Sequence, residues 1–130
     1  MRDEPLAQCP TNKRNCVCSV DQSTRFNIAP LTGYGQSTEA FRTLKALIKR
    51  EKRYVVVSET STYLHAEYRT RWLRFTDDLE FQLMPKEDLI HVRSASRVGY
   101  SDLGANRRRI EALRKTLDKL LSPKNQEFPN

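Results

Sequence analysis

The chain has 130 residues, and 23 Lys and Arg against 16 Asp and Glu give it a formal charge of +7. One domain of that length buries roughly two-thirds of the surface its unfolded form exposes, so a core needs no metal or disulfide staples. No apolar run approaches the ~20 residues of a membrane span, the opening Met1-Arg2-Asp3-Glu4-Pro5 lacks the apolar stretch of a signal peptide, and collagen, low-complexity and coiled-coil compositions are excluded.

Residues 1–36 have no clear period and hold Pro5, Pro10, Pro30, Gly33 and Gly35. Their apolar content is too high for a free linker. They are read as an irregular arm packed on the domain through Leu6, Val17, Val20, Phe26, Ile28 and Leu31. All three cysteines, Cys9, Cys16 and Cys18, lie in this arm. An odd count is no disulfide framework. Cys-x6-Cys-x-Cys matches no common zinc spacing, and His65 and His91 are far off in sequence. Three readings stay open: free thiols in a reducing compartment, a Cys9–Cys16 pair in an oxidising one and, last, metal binding. In an oxidising compartment the six-residue loop between Cys9 and Cys16 is long enough to close. Cys18 is then expected to stay free by pointing away from Cys16 along an extended segment.

Ser37 or Thr38 is placed to cap a helix with Glu39 in its first turn. Phe41, Leu44, Leu47 and Ile48 recur on one helical face, which predicts an amphipathic helix ending near Glu51. Four strand-like runs follow. Tyr54 to Ser58 is apolar on both faces and reads as a central strand. Tyr63 to Arg69, Phe75 to Met84 and Leu89 to Ser96 alternate. Connections at 59–62, 70–74 and 85–88 favour antiparallel hairpins, because a parallel crossover needs a dozen residues or more. Ser101 or Asp102 caps the last helix, whose apolar face is Leu103, Ile110, Leu113, Leu117 and Leu120 and whose stop is Pro123. Residues 124–130 read as a frayed tail. Arm, helix, four strands and helix make one α+β two-layer domain over 1–130. About four antiparallel strands carry both amphipathic helices on one face.

Basic residues gather from Arg42 to Arg53 and from Arg107, Arg108 and Arg109 to Arg114, Lys115 and Lys119. Both runs fall on predicted helices, where such a run is normally a solvated face. No aromatic residues interleave them as in single-strand binders. Nucleic acid therefore ranks behind other anionic partners.

Strand alternation collects His65, Glu67, Asp78, Glu80, His91 and Arg93 on the sheet face away from the helices. Carboxylates beside a histidine are raw material for acid–base work or metal binding. Cross-strand ion pairs are the simpler reading of a half-exposed sheet. Asp77 falls instead on the apolar face with Phe75, Leu79 and Phe81. A buried carboxylate needs a cation or several donors, and Arg93 or Arg97 is the expected partner. The stretch from Arg93 to Asn106 is the densest polar run in the chain. With a helix start beside it, Arg93, Ser94, Ser96, Arg97, Asn106 and Arg109 form a candidate seat for a phosphate or carboxylate. The stretch lacks any nucleotide-binding spacing, and Asp102 already answers the helix's first turn. An internal strut built on Asp77, Asp78, Glu80 and Asp102 is weighed above a ligand site. No Gly-x-Ser-x-Gly elbow and no His-Glu-x-x-His occurs.

Asp77-Asp78-Leu79-Glu80-Phe81, the run from Arg93 to Asn106, Arg109 and Glu111, with Cys9-Pro10 and Asn15-Cys16-Val17 ahead of them, resemble the family catalogued as domain of unknown function 1499. The resemblance covers nearly the whole chain. Cys18 departs from the family pattern, in which a serine is expected. The resemblance implies a small domain of bacteria and plastid-bearing eukaryotes, many of whose bacterial members carry a lipoprotein or membrane-type leader. It transfers no activity. As written, the chain is expected to be soluble and cytoplasmic, or extracytoplasmic or plastid if a leader has been removed. The functional expectation is a non-enzymatic binding or accessory domain without metal or cofactor. It would recognise an anionic group or a protein partner through residues 93–109. The alternative is a small hydrolase-like enzyme using His65, Asp78 and Glu80; nucleic-acid binding is third.

Overall fold

The computed structural model describes residues 5–71 and 75–122. The arm supplies two short strands, β1 (Cys16–Cys18) and β2 (Leu31–Thr32), ahead of helix α1 (Ser37–Arg50). Strands β3 (Tyr54–Glu59), β4 (Tyr63–Arg69), β5 (Thr76–Met84) and β6 (Leu89–Ser96) follow, with a single 3-10 turn, Pro85–Glu87, before β6. Helix α2 (Ala105–Leu121) comes last. The sheet runs β1-β6-β5-β4-β3, with β2 also on β6, and every pairing is antiparallel. It has six strands rather than about four, because two- and three-residue strands in a proline-rich arm carry no period to detect.

The α+β class and the shared helix face both hold. Phe41, Leu44 and Ile48 of α1 and Ile110 and Leu117 of α2 join Leu64, Leu79, Phe81 and Val92 of the sheet in one core cluster. Each such side chain, fully buried, contributes roughly 1.5–3 kcal/mol. The arm closes over the other face at the β6 edge. There Leu6, Cys9, Cys16, Cys18, Phe26 and Tyr63 form a second, smaller cluster. Cys9 and Cys16 are disulfide-bonded and Cys18 is free. The expected reason was wrong. Cys16 lies opposite Ala95 and Cys18 opposite Arg93, so both point to the same face, as residues two apart in a strand must. Cys18 is buried with its Sγ 3.4 Å from the Ala7 carbonyl, and burial pushes its thiol pKa up.

Other expectations are corrected. Among the described residues β3 is an edge strand, paired with β4 alone. Its apolar character on both faces is met by packing Tyr54 and Val56 against the core while Val55 and Val57 stay 43% and 49% exposed. Neither Ser37 nor Thr38 caps α1; Gln36 holds the cap position without a side-chain bond. Helix α2 begins at Ala105, so Leu103 lies outside it and is exposed, as is Leu120. Phe75 precedes β5 and is exposed rather than part of the apolar face. The basic run of α2 is not simply a solvated face. Arg107 donates to the carbonyls of Arg25 and Asn27, and Arg114 to those of Ala29 and Pro30, which pins the arm to the helix. Pro123 and the 124–130 tail lie outside the described residues. Among the described residues no helix is long and apolar enough to cross a membrane.

Candidate functional site

Asp77 sits at the helix-side face of β5, 2% exposed, opposite Ser96 on β6 and Tyr68 on β4. Its partner is Arg109 of α2, whose Nη1 lies 2.7 Å from Oδ2. Arg93 and Arg97 are not its partners. The alternation that turns Asp77 inward turns both of them outward: Arg93 lies opposite Glu80, and Arg97 bonds to Asp78 and Glu67.

Asn106, fully buried in the first turn of α2, is the hub of the loop. Its Oδ1 accepts from Ser94 Oγ at 2.5 Å and from Arg109 Nη1 at 3.1 Å. Its Nδ2 reaches the Asn15 carbonyl, Ser96 Oγ and Asp102 Oδ2 at 3.0, 3.0 and 2.7 Å. Asp102 in turn accepts the backbone N–H groups of Gly104 and Asn106. Ser94, Ser96, Asp102 and Asn106 thus spend their hydrogen-bonding capacity on one another and on the backbone. The candidate anion seat divides accordingly. Ser94, Ser96 and Asn106 tie β6 to α2, Arg93 and Arg97 lie on the far face, and Arg109 remains.

Arg109 opens onto a cavity of about 550 Å³ between the end of α1 and the first half of α2. Leu47 and Arg50 line it from α1, Arg108 and Leu113 from α2, and Tyr54 and Tyr68 from the sheet. Glu51 adds one carboxylate. Helical spacing explains the arrangement: Asn106, Arg109, Ile110 and Leu113 recur on the side of α2 that faces the sheet. The Arg109 guanidinium lies 4.0 Å over the Tyr68 ring, and Tyr68 meets Tyr54 edge-on at 4.9 Å. The Arg109 side chain is only 10% exposed. Its Nη1 serves Asp77 and Asn106, while Nε and Nη2 have no hydrogen-bond partner among the described residues. The Tyr54 and Tyr68 hydroxyls have none either. Burial pushes the Tyr54 pKa up, so its hydroxyl stays a donor.

Sequence reading missed Arg50, Tyr54, Tyr68 and Arg108. A signal for Tyr68 existed. An antiparallel hairpin that sets Arg69 opposite Thr76 sets Tyr68 opposite Asp77, the pairing observed.

On the far face His65 Nε2 lies 2.8 Å from Asp78 Oδ1. Arg97 reaches both Asp78 oxygens at 2.8 and 2.9 Å and Glu67 at 2.6 Å. Tyr63 donates to Glu80 at 2.5 Å, with Arg93 3.9 Å away. Arg97, and after it His65, holds the Asp78 carboxyl below its usual pKa. His91 stands apart, its Nδ1 2.9 Å from Ser19 Oγ, and burial lowers its pKa. Among the described residues no three His, Cys, Asp or Glu side chains are grouped to hold a metal ion.

Residues 5–117 match the family described as protein of unknown function DUF1499, and the chain belongs to that family. No curated protein and no solved structure matches it.

Proposed function

We propose that this member of the DUF1499 family is a non-enzymatic binding domain. It takes up a small molecule with a phosphate or carboxylate on an apolar or aromatic body in the cleft between α1 and α2. One observation carries this reading. Arg109, nine-tenths buried, lines the cavity together with Tyr54 and Tyr68, and neither its Nε and Nη2 nor the two tyrosine hydroxyls have a hydrogen-bond partner among the described residues. Leaving buried donors unmet costs about 1–3 kcal/mol each, and an oxyanion meets them. The guanidinium fork fits a carboxylate or phosphate. Arg50 and Arg108 add charge at the same cavity, and the tyrosine rings with Leu47 and Leu113 suit an apolar body. Cavities of roughly 300–1,000 Å³ are the usual size for small ligands.

Catalysis has less support. The cavity lining holds no histidine or cysteine. On the far face the alternative acid–base residues Asp78 and Glu80 are engaged by Arg97 and Tyr63, so Asp78 is held ionised and unsuited to act as a general acid.

Calorimetric titration with phenyl phosphate tests the reading. Saturable binding is expected, weakened roughly tenfold or more by Arg108→Gln through loss of a charge-assisted contact. Absence of binding, or equal binding by the variant, contradicts it.

A further inference from the structure

We infer that the end of the molecule where this cleft opens is a docking surface for an anionic membrane. The antiparallel order brings the α1–β3 connection, the start of β5 and the β6–α2 loop to that end. Large exposed apolar side chains lie there: Phe75 just ahead of β5, and Val98, Tyr100 and Leu103 in the β6–α2 loop.

Leu103 is the most telling. It is 84% exposed and has φ 54°. That left-handed region crowds the Cβ of every residue but glycine, and asparagine tolerates it best among the rest. The turn is nevertheless held in place from three sides. Leu103 N–H donates to Ser101 Oγ at 3.2 Å, Gly104 N–H to Asp102 Oδ1 at 2.8 Å, and Arg108 Nη1 to the Leu103 carbonyl at 2.8 Å. The chain therefore holds a leucine in water, in a backbone conformation that suits it poorly. Its side chain gains no burial from the described residues. Strain of this kind persists where the surrounding structure over-determines it, and it gathers at functional positions.

Cations lie at the same end. Arg50, Lys52 and Arg71 are exposed and have no ion-pair partner among the described residues. Arg53, Arg69 and Arg71 line adjoining hollows with them. Glu51 is the acidic side chain among them, while Glu67 is taken up by Arg97 and Arg69. The arrangement selects the occupant. A protein interface has a contiguous apolar centre with a polar rim. Among the described residues the exposed apolar side chains here are Phe75 and those of the β6–α2 loop, at the same end of the sheet as these cations, the pattern that inserts between lipid headgroups while lysine and arginine meet anionic lipid. Tyr100 suits the headgroup level. This surface requires nothing of what occupies the cleft.

Co-sedimentation of the full chain with vesicles tests it. Binding is expected to phosphatidylcholine vesicles containing phosphatidylglycerol, not to phosphatidylcholine alone. It should be lost near 1 M salt, where the screening length falls to about 3 Å. Leu103→Asn should leave the Tm unchanged or raised, because asparagine accepts the left-handed turn, and lower the vesicle partition roughly tenfold. If Leu103→Asn lowers the Tm, Val98→Ser on the same loop should show the same loss of partition. Parent-like partition by both variants overturns the proposal. So does equal binding to the two vesicle types, or binding to polyglutamate with none to vesicles, which would favour an acidic protein.

Discussion

Replacing Asp77 by alanine leaves Arg109, nine-tenths buried, without its counter-ion. Breaking a buried pair from one side costs about 3–5 kcal/mol, a large share of the ~5–15 kcal/mol available to a small domain. Denaturant melts of Asp77→Ala beside the parent should show that loss as a lower midpoint; an unchanged midpoint would contradict the pairing. The inward position of Asp77 was legible, since period-2 alternation sets it with Leu79 and Phe81. Its partner was not. Arg93 and Arg97 are nearer in sequence, but strand alternation already sets Arg93 on the opposite face from Asp77, and the register agrees. Arg109 reaches Asp77 from a helix 32 residues away, through packing that no local pattern encodes. His91 makes a second prediction at this scale. Burial depresses its folded pKa, so the native state favours the neutral ring. Stability should be full above the unfolded value of about 6.5 and fall as pH drops from there toward the lower folded value. His91→Gln should flatten that segment of a stability-against-pH curve, and an equal slope in parent and variant would sink the assignment.

At the scale of elements, the long periodic segments were legible and the short ones were not. α1 and the cores of β4, β5 and β6 follow their apolar periods. β1 and β2 are too short for any, yet they bring the arm onto β6. β3 was misplaced because an apolar edge strand and a central one have the same composition. The cleft was hidden for a related reason: its walls come from α1, β3, β4 and α2, and only packing assembles them. The arm is joined by the Cys9–Cys16 bond, whose short loop predicts stabilisation of about 2–3 kcal/mol from lost unfolded-state entropy. Paired Cys9→Ser and Cys16→Ser substitutions should lower the melting midpoint accordingly. They should also expose Leu6 and Phe26 of the smaller cluster to solvent while the main core stays protected from hydrogen exchange. A midpoint and exchange pattern equal to the parent's would show that the arrangement of the arm does not depend on the bond.

For the whole molecule, the +7 balance resolves into cations of different duty. Arg107 and Arg114 hold the arm, Arg97 neutralises the far face, and Arg109 secures Asp77. Arg50 lines the cleft with Arg108, which also donates to the Leu103 carbonyl, and with Arg109 they set three guanidinium groups against the one carboxylate of Glu51. The 93–106 stretch, the most conspicuous polar run in the sequence, becomes the scaffold that fixes the start of α2. Amide chemical-shift mapping with phenyl phosphate tests this division of labour most directly. The account predicts perturbations centred on Arg50, Tyr54, Tyr68, Arg108 and Arg109, with Ser94, His65 and Asp78 unmoved. Perturbations centred on His65, Asp78 and Glu80, or none at saturating phenyl phosphate, would contradict it.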